Sequence, residues 1–512
     1  MPQPQIPVLI VGAGPTGLTL ACDLARRGVD FRIIDRAPQY FVGSRGKGLQ
    51  PRTLEVLDDL GVVDRIVSLG RFHLPFRSYD GTTVLGDRDL HDGRHPTPDV
   101  PYASTLIIPQ WRVEETLREL LDRSGKHVEL ATELTAIEQD NEKVIATLQK
   151  DGSQEQVLCK YLVAADGGRS FVRKHLNFEF EGETWTKARM FVGDVCVDGL
   201  DRDHWHTWPN HPDGWVGLCP FASTDSFQYQ AGIASDEDLE PTLEAFQEIF
   251  ETRAGCNDLK LYNPTWLSFY KVNIRMVNRY RIGRVFLAGD AAHIHSPAGG
   301  QGMNTGIQDA YNLGWKLGLV LYGGNAGLLD SYEEERLPVA AAMLGLTKRI
   351  TQAFVAAGNQ LQPDPATLQL GIHYRYSSLS RHDETSPLSL KAGDRAPDSP
   401  LQDARGNRLR LFDLFRGSHF TLLNIGALPA AGFDDLGGRD LRTYAITNDR
   451  SQAGAHILID DGAHFANAYG AKENALVLVR PDGYIGWSGS NSSVEPAKSY
   501  LKDVTTQTEP RL

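Results

Sequence analysis

A glycine-rich turn near the N-terminus constrains this chain more than any other feature. Gly12-Ala13-Gly14-Pro15-Thr16-Gly17 lies between an apolar run, Pro7–Val11, and a segment, Thr16–Arg27, in which Leu18, Leu20, Ala21 and Leu24 recur at helical spacing. Gly28 follows as a C-cap, and Phe31–Ile34 reads as a second strand suited to a parallel sheet buried on both faces. Strand, tight turn, helix and strand together make a βαβ unit. The first glycine permits the turn, the second lets the backbone approach a pyrophosphate, and the third lets helix and strand pack closely. The helix N-terminus offers free N–H groups and a positive dipole end to an anion. Asp35 closes the second strand, where an acid binds ribose hydroxyls. A dinucleotide site built on Gly12, Gly14, Pro15, Thr16, Gly17 and Asp35 is the expectation.

With 512 residues the chain is too long for one ordinary core, so two or three domains are expected. Its formal net charge of −13 argues against nucleic-acid binding, which needs a basic surface. A polyanionic cofactor must therefore be held by backbone N–H groups and a few placed arginines. The five cysteines (Cys22, Cys159, Cys196, Cys219, Cys256) form no CxxC, which predicts neither a disulfide framework nor a zinc site and suits a cytoplasmic setting. No stretch reaches the roughly 18 apolar residues of a membrane span.

Further along, 51–69 and 110–122 read as helical, and 128–164 is rich in strand signals ending at Tyr161–Ala165. The texture then changes. Aromatic residues and turns dominate 180–275, with strand-like runs at Met190–Val197, Trp215–Pro220 and Phe227–Ile233. A strand at Val285–Ala288 and a long helix over Gly302–Tyr322 return the chain to the first domain, and helices continue to about residue 360. A Pro-, Ser- and Asp-rich stretch reads as a linker, after which Phe420–Ile425, Arg442–Ile446, Ala475–Val479 and the turn Pro481-Asp482-Gly483 announce another domain. The expected organisation is a nucleotide-binding domain at 1–180 and 276–360, an inserted mixed sheet at 181–275, a linker at 361–391 and a C-terminal domain at 392–512.

A dinucleotide site alone does not separate NAD from FAD. Asp166-Gly167-Gly168-Arg169-Ser170-Phe171-Val172-Arg173 fits DGxxSxxR. Gly289-Asp290-Ala291-Ala292-His293 fits GDAAH and leads into Ser296-Pro297-Ala298-Gly299-Gly300-Gln301-Gly302-Met303-Asn304. In order and spacing, the three motifs resemble the para-hydroxybenzoate hydroxylase family of single-component FAD monooxygenases over about residues 5–360. The region from Ala392-Gly393-Asp394-Arg395-Ala396-Pro397 looks like the thioredoxin-like domain of the phenol and polyketide hydroxylase branches. It holds no cysteine, so a structural or homodimer-supporting role is expected there.

The resemblance implies an α/β fold: a Rossmann-like FAD-binding domain, an inserted mixed β-sheet substrate domain and a thioredoxin-like α/β domain. It implies FAD as cofactor, with NADPH or NADH as co-substrate. Arg36, Arg45, Gln110, Asp166, Asp290, Pro297, Gly299, Gly300, Gln301, Gly302, Met303 and Asn304 join the glycine loop as cofactor residues. Physical reasoning agrees at several of these. Asp290 ends a strand, where a carboxylate can accept hydrogen bonds from ribityl hydroxyls, and Pro297 with the glycines after it leaves bare backbone for a flat ring. A carboxylate at Asp166 suits orienting N–H groups better than touching phosphate.

The implied reaction is hydroxylation of a phenolic or polycyclic aromatic by a flavin hydroperoxide, with O2 as oxygen source. Antibiotic modification or Baeyer–Villiger-type insertion is the alternative chemistry. A non-enzymatic binding protein on an FAD-type fold would not need the intact GDAAH loop. A halogenase is disfavoured because no WxWxIP segment lies between the motifs. The aromatic-rich insert should form the substrate pocket, with His206, Trp215 and Tyr229 as contacts. His204 and His206 would share a strand face, but no carboxylate or cysteine cluster accompanies them, so no metal is expected. A base for the substrate hydroxyl is required, and the sequence does not identify it.

Overall fold

The computed structural model describes residues 5–233, 239–357, 361–383, 386–426, 440–452, 454, 456–471 and 474–506. The strand Ile6–Val11 lies at the heart of the first sheet. It pairs in parallel with Ser153–Ala164 on one side and Phe31–Ile34 on the other. Val285–Leu287 and Val128–Glu129 extend the parallel set outward. Val8, Leu9 and Ile10 are completely buried, as an apolar run covered on both faces requires. The helix Pro15–Arg26 starts with proline in its first turn, where a missing N–H costs nothing, and Gly28 leaves it at φ +71°. The other predicted helices form as Pro51–Asp59, Val63–Leu69, Gln110–Arg123 and Gly302–Leu321. The last long helix ends at Ala356, and residues 358–360 lie outside the described residues.

The second sheet is built on two long antiparallel strands, Phe180–Val197 and Leu261–Val277. Pro264 falls where their register breaks, between Asp194 facing Trp266 and Cys196 facing Tyr262, a place where a strand tolerates proline. Phe227–Ile233, Val216–Pro220 and Trp205–Trp208 follow in order. The sheet is wider than the expected insert. The hairpin Phe76–Asp80 and Thr83–Arg88 adds two strands to one edge, and His293–Ile294 adds one to the other. The helix Leu243–Ala254, capped by Thr242 and ended by Gly255 at φ +62°, covers one face with Phe246 and Phe250.

The third sheet is C-terminal and mixed, centred on Phe420–Ile425 between Leu441–Thr447 and Ala475–Val479. This is the expected thioredoxin-like layer. The predicted linker takes part in it: Arg381–His382 pairs beside Ile485–Ser490. The expected boundaries at 181 and 392 are therefore crossed by strands from outside them.

Candidate active site

The three glycines of the N-terminal turn divide their work. A Cβ on Gly12 would lie 2.3 Å from the Ala165 carbonyl oxygen, and one on Gly17 would lie 2.0 Å from that of Gly12. Both serve backbone packing and face away from the large cleft above the sheet. Gly14 would meet nothing within 4 Å, and with Pro15 and Thr16 it lines the cleft. Asp35 accepts from Ala13 N at 2.8 Å and Ala37 N at 2.9 Å, so its carboxylate is aimed by the turn itself. Arg36 reaches the cleft wall beside it.

The two later motifs meet across the cleft. Asp166 accepts from the N–H groups of Phe171 and Val172 at 2.8 and 3.3 Å, capping a short helix, while its other oxygen is buried with no partner. Burial lifts this carboxyl above its ordinary range. Arg173 donates to the carbonyls of Gly168 (2.7 Å) and Ala291 (2.9 Å), which ties the first motif to the GDAAH loop. Asp290 sits on the floor of the cleft, ringed by protein but exposed to the cleft space, with no hydrogen bond among the described residues. Burial raises its carboxyl against the pull of His293 and Arg45.

Asp309 organises that loop from beneath. Its carboxylate accepts from Gly289 N (3.0 Å), His293 Nε2 (2.7 Å) and Arg336 Nε (2.7 Å). His293 is thus a fully buried loop anchor. His295 stacks on it at 4.8 Å with both ring nitrogens unpartnered, and burial pushes its pKa down to about 3. Beyond it, Gly299 and Gly300 take φ of +77° and +63°, and Pro297 to Met303 form a cleft wall of mostly bare backbone. The N-terminus of the helix Gly302–Leu321 has no side-chain cap, and a Cβ on Gly302 would meet nothing within 4 Å. Gln301 is buried and holds the loop through Gly299 O, Thr367 O and Gln369. Asn304 departs from the expectation. It turns from the cleft and stitches Gly48 O, Gly300 O and Gln50 N together at 2.7–2.8 Å. Gln110 accepts from Gly46 N (3.1 Å) and donates to Glu114, whose carboxyl burial lifts to about 7. Gln110 and Arg45 both line the cleft.

The second sheet roofs the cleft, and strand alternation decides which residues face it. Val192, Gln230, Gly217 and Thr207 are paired neighbours on one rung, and Val192, Gln230 and Thr207 line the cleft. The next rung, Gly193, Tyr229, Leu218 and His206, points to the opposite face. Two expected substrate contacts are therefore corrected. Tyr229 is fully buried against Phe246 under the covering helix. His206 is fully buried too, bonded to Tyr79 and the Asp201 carbonyl. Trp215 does line the cleft, edge-on to Phe354. Two further tryptophans line the cleft that the sequence did not single out as contacts: Trp205, stacked on Phe76 at 4.4 Å, and Trp266. Period-two counting from Trp215 would have found Trp205, given the register.

The cleft measures about 1890 Å³. Pockets for one small molecule run to about 1,000 Å³, so there is room for two ligands.

Comparison with known proteins places this geometry. Residues 5–347 match the FAD binding domain family and residues 389–508 the family described as aromatic-ring hydroxylase, C-terminal. The chain belongs to the FAD-dependent aromatic-ring hydroxylases. A flavin-dependent monooxygenase of Mycobacteroides abscessus is 43% identical over 487 residues, covering 94% of this chain and 96% of that protein. The 6-methylpretetramide 4-monooxygenase of Streptomyces rimosus is 35% identical over 528 residues, covering 97% and 93%. The crystal structure of aklavinone-11 hydroxylase with FAD and aklavinone superposes with a TM-score of 0.83 at 28% identity, covering 99% of this chain and all of that one.

As an FAD-dependent monooxygenase, the chain presents a cleft that fits its cofactor. Open Gly14 and Gly302, the unpartnered Asp290 carboxylate and the loop at 297–303 are features that a bound flavin dinucleotide would fill. Among the described residues no helix of this hydroxylase is long and apolar enough to cross a membrane.

Proposed function

We propose that this enzyme hydroxylates a phenolic or polycyclic aromatic substrate with one oxygen atom of O2, consuming NADH or NADPH. The observation that carries this reading is a single cleft with a bare-backbone cradle on one side and an aromatic and amide-rich sheet face on the other. Bound FAD supplies the redox and oxygen-transfer chemistry. In this reading Gly14, Pro15 and Thr16 hold the pyrophosphate at the helix N-terminus, with Arg36 and Arg45 adding positive charge. Asp290 accepts from the ribityl chain, and the wall from Pro297 to Met303 takes the ring. The uncapped helix at Gly302 favours negative charge on that ring. Trp205, Trp215 and Trp266 wall the space for a flat substrate and exclude water.

Relatives named for pentachlorophenol and anhydrotetracycline, and a structural neighbour holding aklavinone, support an aromatic substrate. Relatives named rifampicin monooxygenase, at 31% and 30% identity, favour oxygenation of an antibiotic as the second reading. The unpaired cysteines suit the cytoplasm.

The test is a panel of phenols, polycyclic aromatics and rifampicin under labelled oxygen gas, with NAD(P)H consumption and product mass recorded. One labelled oxygen atom in a ring product is expected. Hydrogen peroxide as the sole fate of the reducing equivalents across the panel would overturn the reading.

A further inference from the structure

Lys47 lines the cleft but has no part in the proposed cofactor cradle. It sits under the sheet roof, with Nζ 3.6 Å over the centre of the Trp205 ring and donating to Gln230 Oε1 at 2.8 Å. Among the described residues Gln230 is its one hydrogen-bond acceptor, and Asp194 is its nearest carboxylate without forming an ion pair with it. An ammonium desolvated this way is costly unless a ligand completes its shell. Its other N–H groups remain for the cleft that it lines.

The roof beside Lys47 is polar and incomplete. Asp194, Gln228 and Cys219 occupy one rung of three adjacent strands, with Ser44 against Asp194. Gln228 Nε2 is spent on the Ser44 carbonyl. Among the described residues, Gln228 Oε1 is buried with no partner, and Ser44 Oγ and Asp194 Oδ1 are buried in each other's neighbourhood, where Ser44 eases the Asp194 charge. Buried polar atoms are almost always satisfied, so such a cluster marks the seat of a missing polar group.

We propose that Lys47 holds an ionised hydroxyl of the aromatic substrate, and that Asp194 is the catalytic base that takes up its proton. The substrate O–H bond breaks, an O–H bond forms on the Asp194 carboxylate, and the oxyanion rests on the ammonium. No electrons change hands in this step. It raises electron density on the ring carbons, which oxygen transfer needs. The electrostatics agree with the geometry. Burial lifts Asp194 to about 7 and lowers Lys47 to about 8, so both exchange protons near neutral pH. Cys219, the other ionisable group facing Lys47, is pushed up to about 11 and stays a thiol. Trp205, Gln228, Gln230 and Ser44 complete the surroundings and carry no charge.

This inference rests on the aromatic hydroxylase reading, and the experiment separates the two. The FAD-loaded enzyme is titrated with 4-nitrophenol, whose ionisation is visible, and difference spectra are recorded over a pH series. Wild type should bind it as phenolate, with its apparent pKa lowered by at least about one unit. Lys47→Met should abolish that shift, Lys47→Arg should keep most of it, and Asp194→Asn should move the pH profile of phenol oxygenation. With a phenol that wild type oxygenates, Lys47→Met should raise KM at least about tenfold, as loss of one opposite charge implies. Neutral binding or no binding of 4-nitrophenol to wild type, or an unchanged signal and KM in Lys47→Met, would overturn the assignment while leaving oxygenation intact. If wild type oxygenates no aromatic of the panel, the parent reading fails instead.

Discussion

Arg480 donates to both carboxylate oxygens of Glu335, at 2.6 and 2.9 Å, across the boundary between the C-terminal sheet and the helices beneath the cleft. Both side chains are fully buried. Lys316 and Asn312, on the helix that begins at Gly302, bond the same carboxylate at 2.7 Å. Burial alone would raise Glu335, but Arg480 and Lys316 hold it far below the usual carboxylate range. Asp482, in the predicted Pro-Asp-Gly turn, completes the set by accepting from Trp315 and Arg480.

Breaking this pair from one side leaves a buried charge alone. Arg480→Met is expected to destabilise the protein by about 3–5 kcal/mol, and the double variant with Glu335→Gln by less. Thermal unfolding of the three proteins checks this. Removing residues 389–512 should cost solubility for the same reason, because Glu335 and Trp315 would lose their cover.

Gly14 and Gly17 should fail differently. Gly14→Ala meets no protein atom within 4 Å and should fold normally while binding FAD more weakly. Gly17→Ala puts its Cβ 2.0 Å from a carbonyl oxygen and should unfold at lower temperature even without flavin. Circular dichroism melts paired with flavin fluorescence titrations distinguish the two. Equal melts would refute the division of labour.

Asp290→Ala should weaken FAD binding by about 1.5–3 kcal/mol, the worth of hydrogen bonds to a charged acceptor. Its melting temperature without flavin should hold or rise, since a raised carboxyl in the cleft contributes no stability of its own. Unchanged FAD affinity would show that this carboxylate does not reach the cofactor.

On the roof, Trp205→Phe, which keeps a ring against Phe76, should lower the fraction of NAD(P)H consumption that yields oxygenated product and move the melt far less than Tyr229→Ala. Tyr229→Phe should alter neither, because the Tyr229 hydroxyl is buried without a partner. Tyr229→Ala should cost about 3–5 kcal/mol of stability by opening a cavity against Phe246. Product analysis with chemical denaturation reads both effects.

His295 sets a pH dependence. Burial and neighbouring His293 hold it near 3, against about 6.5 in an unfolded chain. Between those values the unfolded state binds a proton that the folded state refuses. Stability from this group is therefore complete above about pH 6.5 and declines as pH falls toward 3. Glu114 and Asp194, both lifted to about 7, act in the opposite sense over part of that window. The difference between wild type and His295→Gln isolates the effect: His295→Gln should show a flatter loss of stability from pH 6.5 to 4 in urea unfolding.

The parts of the site that backbone chemistry dictates were legible in advance. A strand–turn–helix needs glycine at positions 12 and 17, a pyrophosphate approaching the backbone favours it at 14, and a loop meeting a flat ring needs it at 299 and 300. Hence the motifs mark their own place in the fold. The roof was less legible because a strand's two faces differ only in register. His206 and Trp205 are adjacent in sequence, and only the pairing of Thr207 with Gly217 and of Gly217 with Gln230 says which one sees the cleft. Asp309, Arg336 and Lys47 carry no motif signal at all. Asp309 lies 16 residues from His293 in the chain and acts on it only once the helix is folded back. The hairpin at 76–88 was missed as part of the roof because one strand is half-buried and the other exposed, so neither shows a buried alternation.

The roof is one sheet with two duties on alternate residues. Phe191, Leu218, Tyr229 and Phe246 fill the far side, while Val192, Thr207, Gln228 and Gln230 look into the cleft. Substitutions on the near side can reshape what fits beside the flavin and leave the packing intact. A lineage can thus change its diet by every second letter of the same strands, and a designer seeking a new substrate has a short alphabet of positions to vary while the scaffold stays whole.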